Sequence, residues 1–151
     1  IKEDDVIKQK CNNAAKECHV DHLLQRNFNT LSGGEQRRVH FARTLLQIDH
    51  HYDDIGARYM FLDEPTANLD LSYELQLIRL LKKKSINGIG VLLIIHDLNL
   101  ASKFSDKIAI LKRGSLFNFG TPSEVFQSKI LSDVFGLSME VDPKTLRVNY
   151  Y

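Results

Sequence analysis

Two short apolar runs constrain this chain more than any other feature. Tyr59-Met60-Phe61-Leu62 stops at Asp63-Glu64-Pro65, and Val91-Leu92-Leu93-Ile94-Ile95 stops at His96-Asp97. Runs this short, free of charge and ending abruptly, suit strands covered on both faces better than helices. Between them, Leu71, Leu75 and Ile78 recur at helical spacing over residues 71–84. Asp70 can cap that helix, and Lys82-Lys83-Lys84 lie at the negative end of its dipole. A strand, a helix and a second strand in this order form a parallel pair, so the expected class is α/β.

The flanks fit that class. Residues 2–18 carry Ile7, Cys11, Ala14 and Cys18 on one helical face, with Lys and Glu opposite. Residues 25–35 lose the period and end in a glycine pair, after which a helix over 36–48 would bury Val39, Ala42 and Leu46. Residues 50–57 read as a polar loop, and Asn87-Gly88 turns the chain into the second strand. Asp97 can cap a helix to about residue 104. Residues 107–112 and 115–119, joined at Arg113-Gly114, read as a hairpin. Thr121-Pro122-Ser123-Glu124 is a capping box with proline at the first helical position. A further short helix ends at Gly136, and residues 139–151 are a strand or tail.

Composition narrows the function. Twenty Lys and Arg against nineteen Asp and Glu leave a net charge of +1, without the basic surplus of a protein that grips phosphate backbones. The longest aliphatic run, residues 91–95, is too short to cross a bilayer. Two cysteines make no disulfide framework and fit a reduced setting. Cys11, Cys18, His19 and His22 match no zinc spacing, and His50-His51 with Asp53-Asp54 reads as a solvated loop. The chain opens on Ile1 rather than Met, so its start is expected upstream.

Three segments carry the chemistry. Leu31-Ser32-Gly33-Gly34-Glu35 places two glycines and a hydroxyl before a helix, where amides and the helix dipole favour an anion such as phosphate. A plain glycine turn is the alternative. Asp63 and Glu64 end a strand at the carboxyl edge of a sheet, where α/β proteins place ligands. Asp63 suits a magnesium ion, and Glu64 suits orienting or deprotonating water; a solvated strand end is the alternative. His96 ends the second strand and can donate to a phosphate oxygen, although a lone histidine at a strand end is more often structural.

Taken together, these segments resemble the ATPases of ATP-binding-cassette (ABC) transporters. Leu31 to Glu35 resembles their signature motif, residues 59–64 their Walker B strand, Ala67-Asn68-Leu69-Asp70 their D-loop and His96 their switch histidine, in the family's order and at about its spacing. The resemblance implies the C-terminal part of a P-loop NTPase core of the ABC type. Residues 1–48 would form the end of the helical signature subdomain and residues 49–151 the remaining core. None of the eight glycines precedes a lysine, so the phosphate-binding loop is not in this chain.

The resemblance also implies roles. Two such domains would pack head to tail, with ATP between the phosphate loop of one and the signature of the other. Ser32, Gly33, Gly34 and Glu35 would meet the γ-phosphate, and Asp63 would hold Mg2+. Glu64 would act as general base, His96 would bridge to phosphate, and Asp70 would couple the two sites. The D-loop has Ala67-Asn68 where Ser-Ala is commoner, which touches neither Leu69 nor Asp70. Residues 36–48, the long loop after them, Gly120-Thr121-Pro122-Ser123-Glu124-Val125 and Val134-Phe135-Gly136 look most like haem importers within the iron–siderophore, vitamin B12 and haem group. Such a subunit sits on the cytoplasmic face of the bacterial inner membrane and drives permease subunits, which handle the haem. It does not itself enter the membrane or bind nucleic acid. A siderophore or B12 importer, a soluble ABC protein of translation or DNA repair, and a non-catalytic truncated product are the alternatives. The chain by itself is expected not to hydrolyse ATP.

Overall fold

The computed structural model describes residues 3–49, 56–67 and 69–150. Readings that involve Lys2, residues 50–55 (with His50, His51, Asp53 and Asp54), Asn68 and Tyr151 lie outside the described residues. The chain divides into two compact units, one through Ile94 and one from Ile95.

In the first unit, α1 (Glu3–Glu17) and α2 (Gly33–Asp49) pack together, followed by β1 (Arg58–Asp63), α3 (Leu71–Ile86) and β2 (Ile89–Ile94). β1 and β2 pair in parallel, Arg58 opposite Ile89 through Asp63 opposite Ile94, as the strand–helix–strand order requires. Ala14, Ala15, Cys18, Ala42, Leu45, Met60, Leu77, Ile78, Leu81 and Ile89 are buried. Burial pushes the Cys18 thiol up to about 12, with Glu17 adding to the effect, so it is a neutral core group. Gly90 lets the Tyr59 ring lie over its backbone across the strand pair, where a Cβ would force that ring aside.

Several expectations are corrected. Ile7 is exposed, while Ala14 and Cys18 of the expected face are buried together with Ala15, near the C-terminal end of α1. In α2 it is Leu45 that is fully buried, while Val39 and Leu46 are half-buried. The α3 stripe is rotated: Leu71 is 69% exposed and Leu75 half-buried, while Leu77, Ile78, Leu81 and Lys84 are buried. Lys84 enters that stripe because its ammonium meets the Glu17 carboxylate at 3.1 Å. The two strands are not covered on both faces. Tyr59, Phe61, Leu92 and Ile94 are 49–73% exposed, because α2 and α3 cover only the Met60 and Ile89 side. A continuous apolar run cannot by itself tell one covered face from two. Ile95 falls outside β2.

The second unit holds α4 (Leu98–Phe104), β3 (Ile108–Lys112), β4 (Ser115–Gly120), α5 (Pro122–Val125), α6 (Ser128–Phe135), β5 (Met139–Val141) and β6 (Val148–Tyr150). β3 and β4 form the expected antiparallel hairpin. Arg113 (φ 52°) and Gly114 (φ 76°) are both left-handed, the two-residue turn that matches strand twist. The capping box forms, with the Thr121 N–H donating to Glu124 Oε2 at 2.6 Å, and Gly136 ends α6 with φ 69°. Residues 139–150 are neither one strand nor a tail: β5 and β6 pair antiparallel. Asp142 makes the reversal, its Oδ1 accepting from Lys144 N at 2.9 Å and Thr145 N at 2.7 Å.

Val125, Phe126, Leu131, Met139 and Val148 form the core of this unit, with Leu98, Ile108 and Ile110 packed against it. Asn99 clips α4 to β6: its Oδ1 accepts from Val148 N at 2.8 Å and its Nδ2 donates to Val148 O at 3.4 Å. Replacing Asn99 by Ala leaves both Val148 groups without that partner, and urea titration should show a loss of about 1–2 kcal/mol in this unit. A midpoint and slope equal to the parent chain's would mean that the clip contributes nothing.

Candidate functional site

The signature segment is built around the start of α2. Gln36 turns back, its Nε2 donating to Leu31 O at 3.1 Å and Phe28 O at 3.3 Å, which fixes the approach to Ser32. The Ser32 N–H donates to Glu35 Oε2 at 2.8 Å, and the Glu35 N–H donates to Ser32 Oγ at 3.3 Å. This reciprocal box follows from Ser-x-x-Glu at a helix start, a pattern legible in the sequence but overlooked there. The helix therefore begins three residues earlier than expected, and the glycines lie in its first turn rather than before it. First-turn amides lack intrahelical acceptors, and Ser32 and Glu35 consume two of the four donors, leaving those of Gly33 and Gly34. An added Cβ at either glycine would meet nothing within 4 Å. The backbone there is open to an incoming group, and amides at a helix start favour an anion.

Hydrogen bonds from the Ser32 backbone, then from its side chain, hold the Glu35 carboxyl below its ordinary range. Because its pKa is lowered in the folded state, the stabilisation is present above the ordinary carboxylate range and is lost as pH falls through the folded value. Protection of the Ser32 amide, relative to its intrinsic exchange at each pH, should persist through the ordinary glutamate range and fall only below it. Glu35→Gln keeps an acceptor and should remove that acid step; an unchanged step would assign it to another group.

Asp63 ends β1 and Glu64 follows it, both exposed. Glu64 has φ 44°, a left-handed conformation that costs a non-glycine residue about 1–3 kcal/mol and collects at functional sites. It is held there from both sides: its N–H donates to Ile94 O at 3.1 Å, and its carbonyl accepts from Ala67 N at 3.1 Å. Asp63 and Glu64 open into a groove of about 500 Å3 that Arg37, His40 and Thr44 of α2 also line. Oxygen donors of this kind fit Mg2+, which takes one or two carboxylates and completes its shell with water and phosphate oxygens. Asp70 accepts from Ser72 N at 3.0 Å and Tyr73 N at 3.1 Å, so it caps α3 as expected. Ser32, Gly33, Gly34, Glu35, Asp63, Glu64 and Asp70 thus share the first unit. His96 stands exposed at the start of the second, just before Asp97, whose Oδ1 accepts from Leu100 N at 2.9 Å to cap α4.

A glycine-opened helix beside a parallel strand that ends on Asp63, with Glu64 following, is an α/β arrangement. The chain has the fold of the C-terminal part of an ABC ATPase. All of it superposes on 58% of a subunit from an inward-facing metal-chelate-type ABC transporter, with a TM-score of 0.73 at 24% identity. Over 88% of its length it matches half of cbiO1 from Clostridium perfringens, part of the transporter complex cbiONQ, with a TM-score of 0.65 at 28% identity.

The sequence relatives are more particular. The chain is 39% identical over 129 residues to the hemin import ATP-binding protein HmuV of Rhodopseudomonas palustris, covering 85% of this chain and 48% of that protein. It is 35% identical over 158 residues to the protein of the same name from Plesiomonas shigelloides, covering 97% and 59%. The chain thus spans about half the length of these curated relatives. No protein-family model matches it.

Proposed function

We propose that this chain is the C-terminal part of an ATP-hydrolysing subunit of an ABC importer whose cargo is haem. One observation carries the reading: a single compact unit holds both a helix opened on unshielded glycines and a strand tipped with two exposed carboxylates. Residues 1–48 belong to the helical signature subdomain and 49–151 to the ATPase core. Two subunits pack head to tail, and each signature meets the nucleotide held by the other subunit's phosphate loop.

Each residue then has one task. The amides of Gly33 and Gly34 and the Ser32 hydroxyl donate to the γ-phosphate, where the positive helix end favours charge. Glu35 keeps Ser32 in place for that contact. Asp63 holds Mg2+, which when bound offsets phosphate charge. Glu64 accepts the proton of the attacking water or orients it, within the usual contribution of a general base. His96 donates to a γ-phosphate oxygen, and Asp70 couples the two sites across the dimer. Permease subunits carry the haem, and the ATPase works on the cytoplasmic face of the inner membrane. Among the described residues no helix is long and apolar enough to cross a membrane.

The names of the sequence relatives support haem, and the metal-chelate-type structural neighbour supports a second reading, an iron-chelate or B12 importer. The test joins this chain behind the amino-terminal half of the Rhodopseudomonas palustris relative and returns it to cells lacking that relative. Growth on hemin as iron source supports the proposal. Growth on a ferric siderophore alone favours the second reading, and growth on neither counts against an importer.

A further inference from the structure

We infer that Arg37 is a positioning residue, tying the backbone that carries Glu64 to the helix that begins at Gly33. The inference rests on the nucleotide-site reading above. Between β1 and α3, Ala67 N donates to Glu64 O and Leu69 N to Thr66 O, both at 3.1 Å. The two ends are anchored, Glu64 by its N–H on Ile94 O and Asp70 by capping α3. The middle is held from α2, where the Arg37 guanidinium donates to the Ala67 carbonyl.

The neighbouring residue grips the far side. The Arg38 guanidinium lies 3.8 Å from the centroid of the Tyr73 ring, in the first turn of α3. Arg37 stands one turn beyond Gly33, on the same rigid helix, and it lines the groove into which Asp63 and Glu64 open. A shift of the helix start on meeting phosphate is passed through Arg37 to Ala67. The Ala67 N–H shares its turn with the Glu64 carbonyl, so the shift reaches the left-handed residue whose carboxylate must face water. Arg37 touches no reacting atom in this scheme and acts through the Ala67 carbonyl alone.

The test is residue-resolved amide exchange on this 151-residue chain as wild type, Arg37→Met and Arg37→Lys. Loss of one charge-assisted hydrogen bond should speed exchange at Ala67 and Leu69 about tenfold in Arg37→Met, with the α2 amides of residues 41–45 unchanged. Arg37→Lys, which keeps a charged donor, should stay within about threefold of wild type. Exchange at Ala67 and Leu69 unaltered by Arg37→Met would overturn the inference. If Arg37→Met loosens the whole unit, Arg37→Lys decides: wild-type exchange supports the link, and exchange as fast as in Arg37→Met refutes it.

In the joined ATPase, Arg37→Met should lower kcat about tenfold with KM nearly constant, and Arg37→Lys should recover most of it. A raised KM at unchanged kcat would make Arg37 a binding group and overturn the positioning role. The exchange experiment needs no nucleotide, so its failure leaves the ATPase reading standing. A joined wild-type protein that binds ATP and never hydrolyses it would sink the ATPase reading and leave the exchange result intact.

Discussion

Glu64→Gln in the joined ATPase should cut ATP hydrolysis by about two to four orders of magnitude, the reach of a general base, while ATP still binds. The amide is nearly isosteric with the carboxylate and keeps an oxygen to orient water, but it cannot take a proton. The backbone argument sharpens the expectation. Glu64 is held left-handed by main-chain hydrogen bonds to Ile94 and Ala67, neither of which depends on its side chain. The substitution should therefore leave the fold alone and report on chemistry. Steady-state turnover and fluorescent-nucleotide binding, measured on the same preparation, separate the two. Turnover within about threefold of wild type would remove Glu64 from the proton-transfer role.

Gly34→Asp should leave stability unchanged or slightly raised and still lower turnover of the joined ATPase by about a hundredfold or more. Three facts make this an unusual combination. A Cβ at Gly34 meets nothing within 4 Å, so the side chain has room. Aspartate is a better helix former than glycine, and a carboxylate in the first turn of α2 is favoured by the helix dipole. The gain in stability comes from the same positive potential that would attract phosphate, so the new carboxylate occupies the site and repels the substrate. Thermal unfolding and turnover should move in opposite directions. A variant that loses stability in proportion to activity would make the glycine pair a structural turn, the reading that competes with a phosphate cradle.

The strand–helix–strand unit was legible because independent local signals agree on it: apolar runs of strand length, Asp70 as the helix cap, and the Asn87-Gly88 turn. The hairpin turn at Arg113-Gly114 and the stop at Gly136 were legible for the same reason, since each needs a left-handed residue where glycine stands. What covers a face was not legible. Tyr59 and Phe61 read as core and are exposed, because burial depends on neighbours distant in sequence. Lys84, read only as a charge at the negative end of the helix dipole, is buried against Glu17, which lies on another helix.

At the site, residue types that carry chemistry by themselves could be found: paired carboxylates, a glycine pair and a strand-end histidine. The contacts that shape them could not. Nothing local to Glu64 signals its left-handed backbone, and nothing in Arg37 signals its reach to the Ala67 carbonyl. The Ser32–Glu35 box is the exception, a pattern written plainly in the sequence and missed beside the glycines.

The central claim is that this chain supplies signature and Walker B groups to a composite ATP site, and hydrolysis tests it most directly. Phosphate release from Mg·ATP would be measured for the 151-residue chain alone, for the joined ATPase and for Glu64→Gln of each. The expected result is no turnover by the chain alone, turnover by the joined protein, and its loss in the joined Glu64→Gln variant. Turnover by the chain alone that vanishes with Glu64→Gln would contradict the composite site, as would a joined protein that binds ATP and never hydrolyses it.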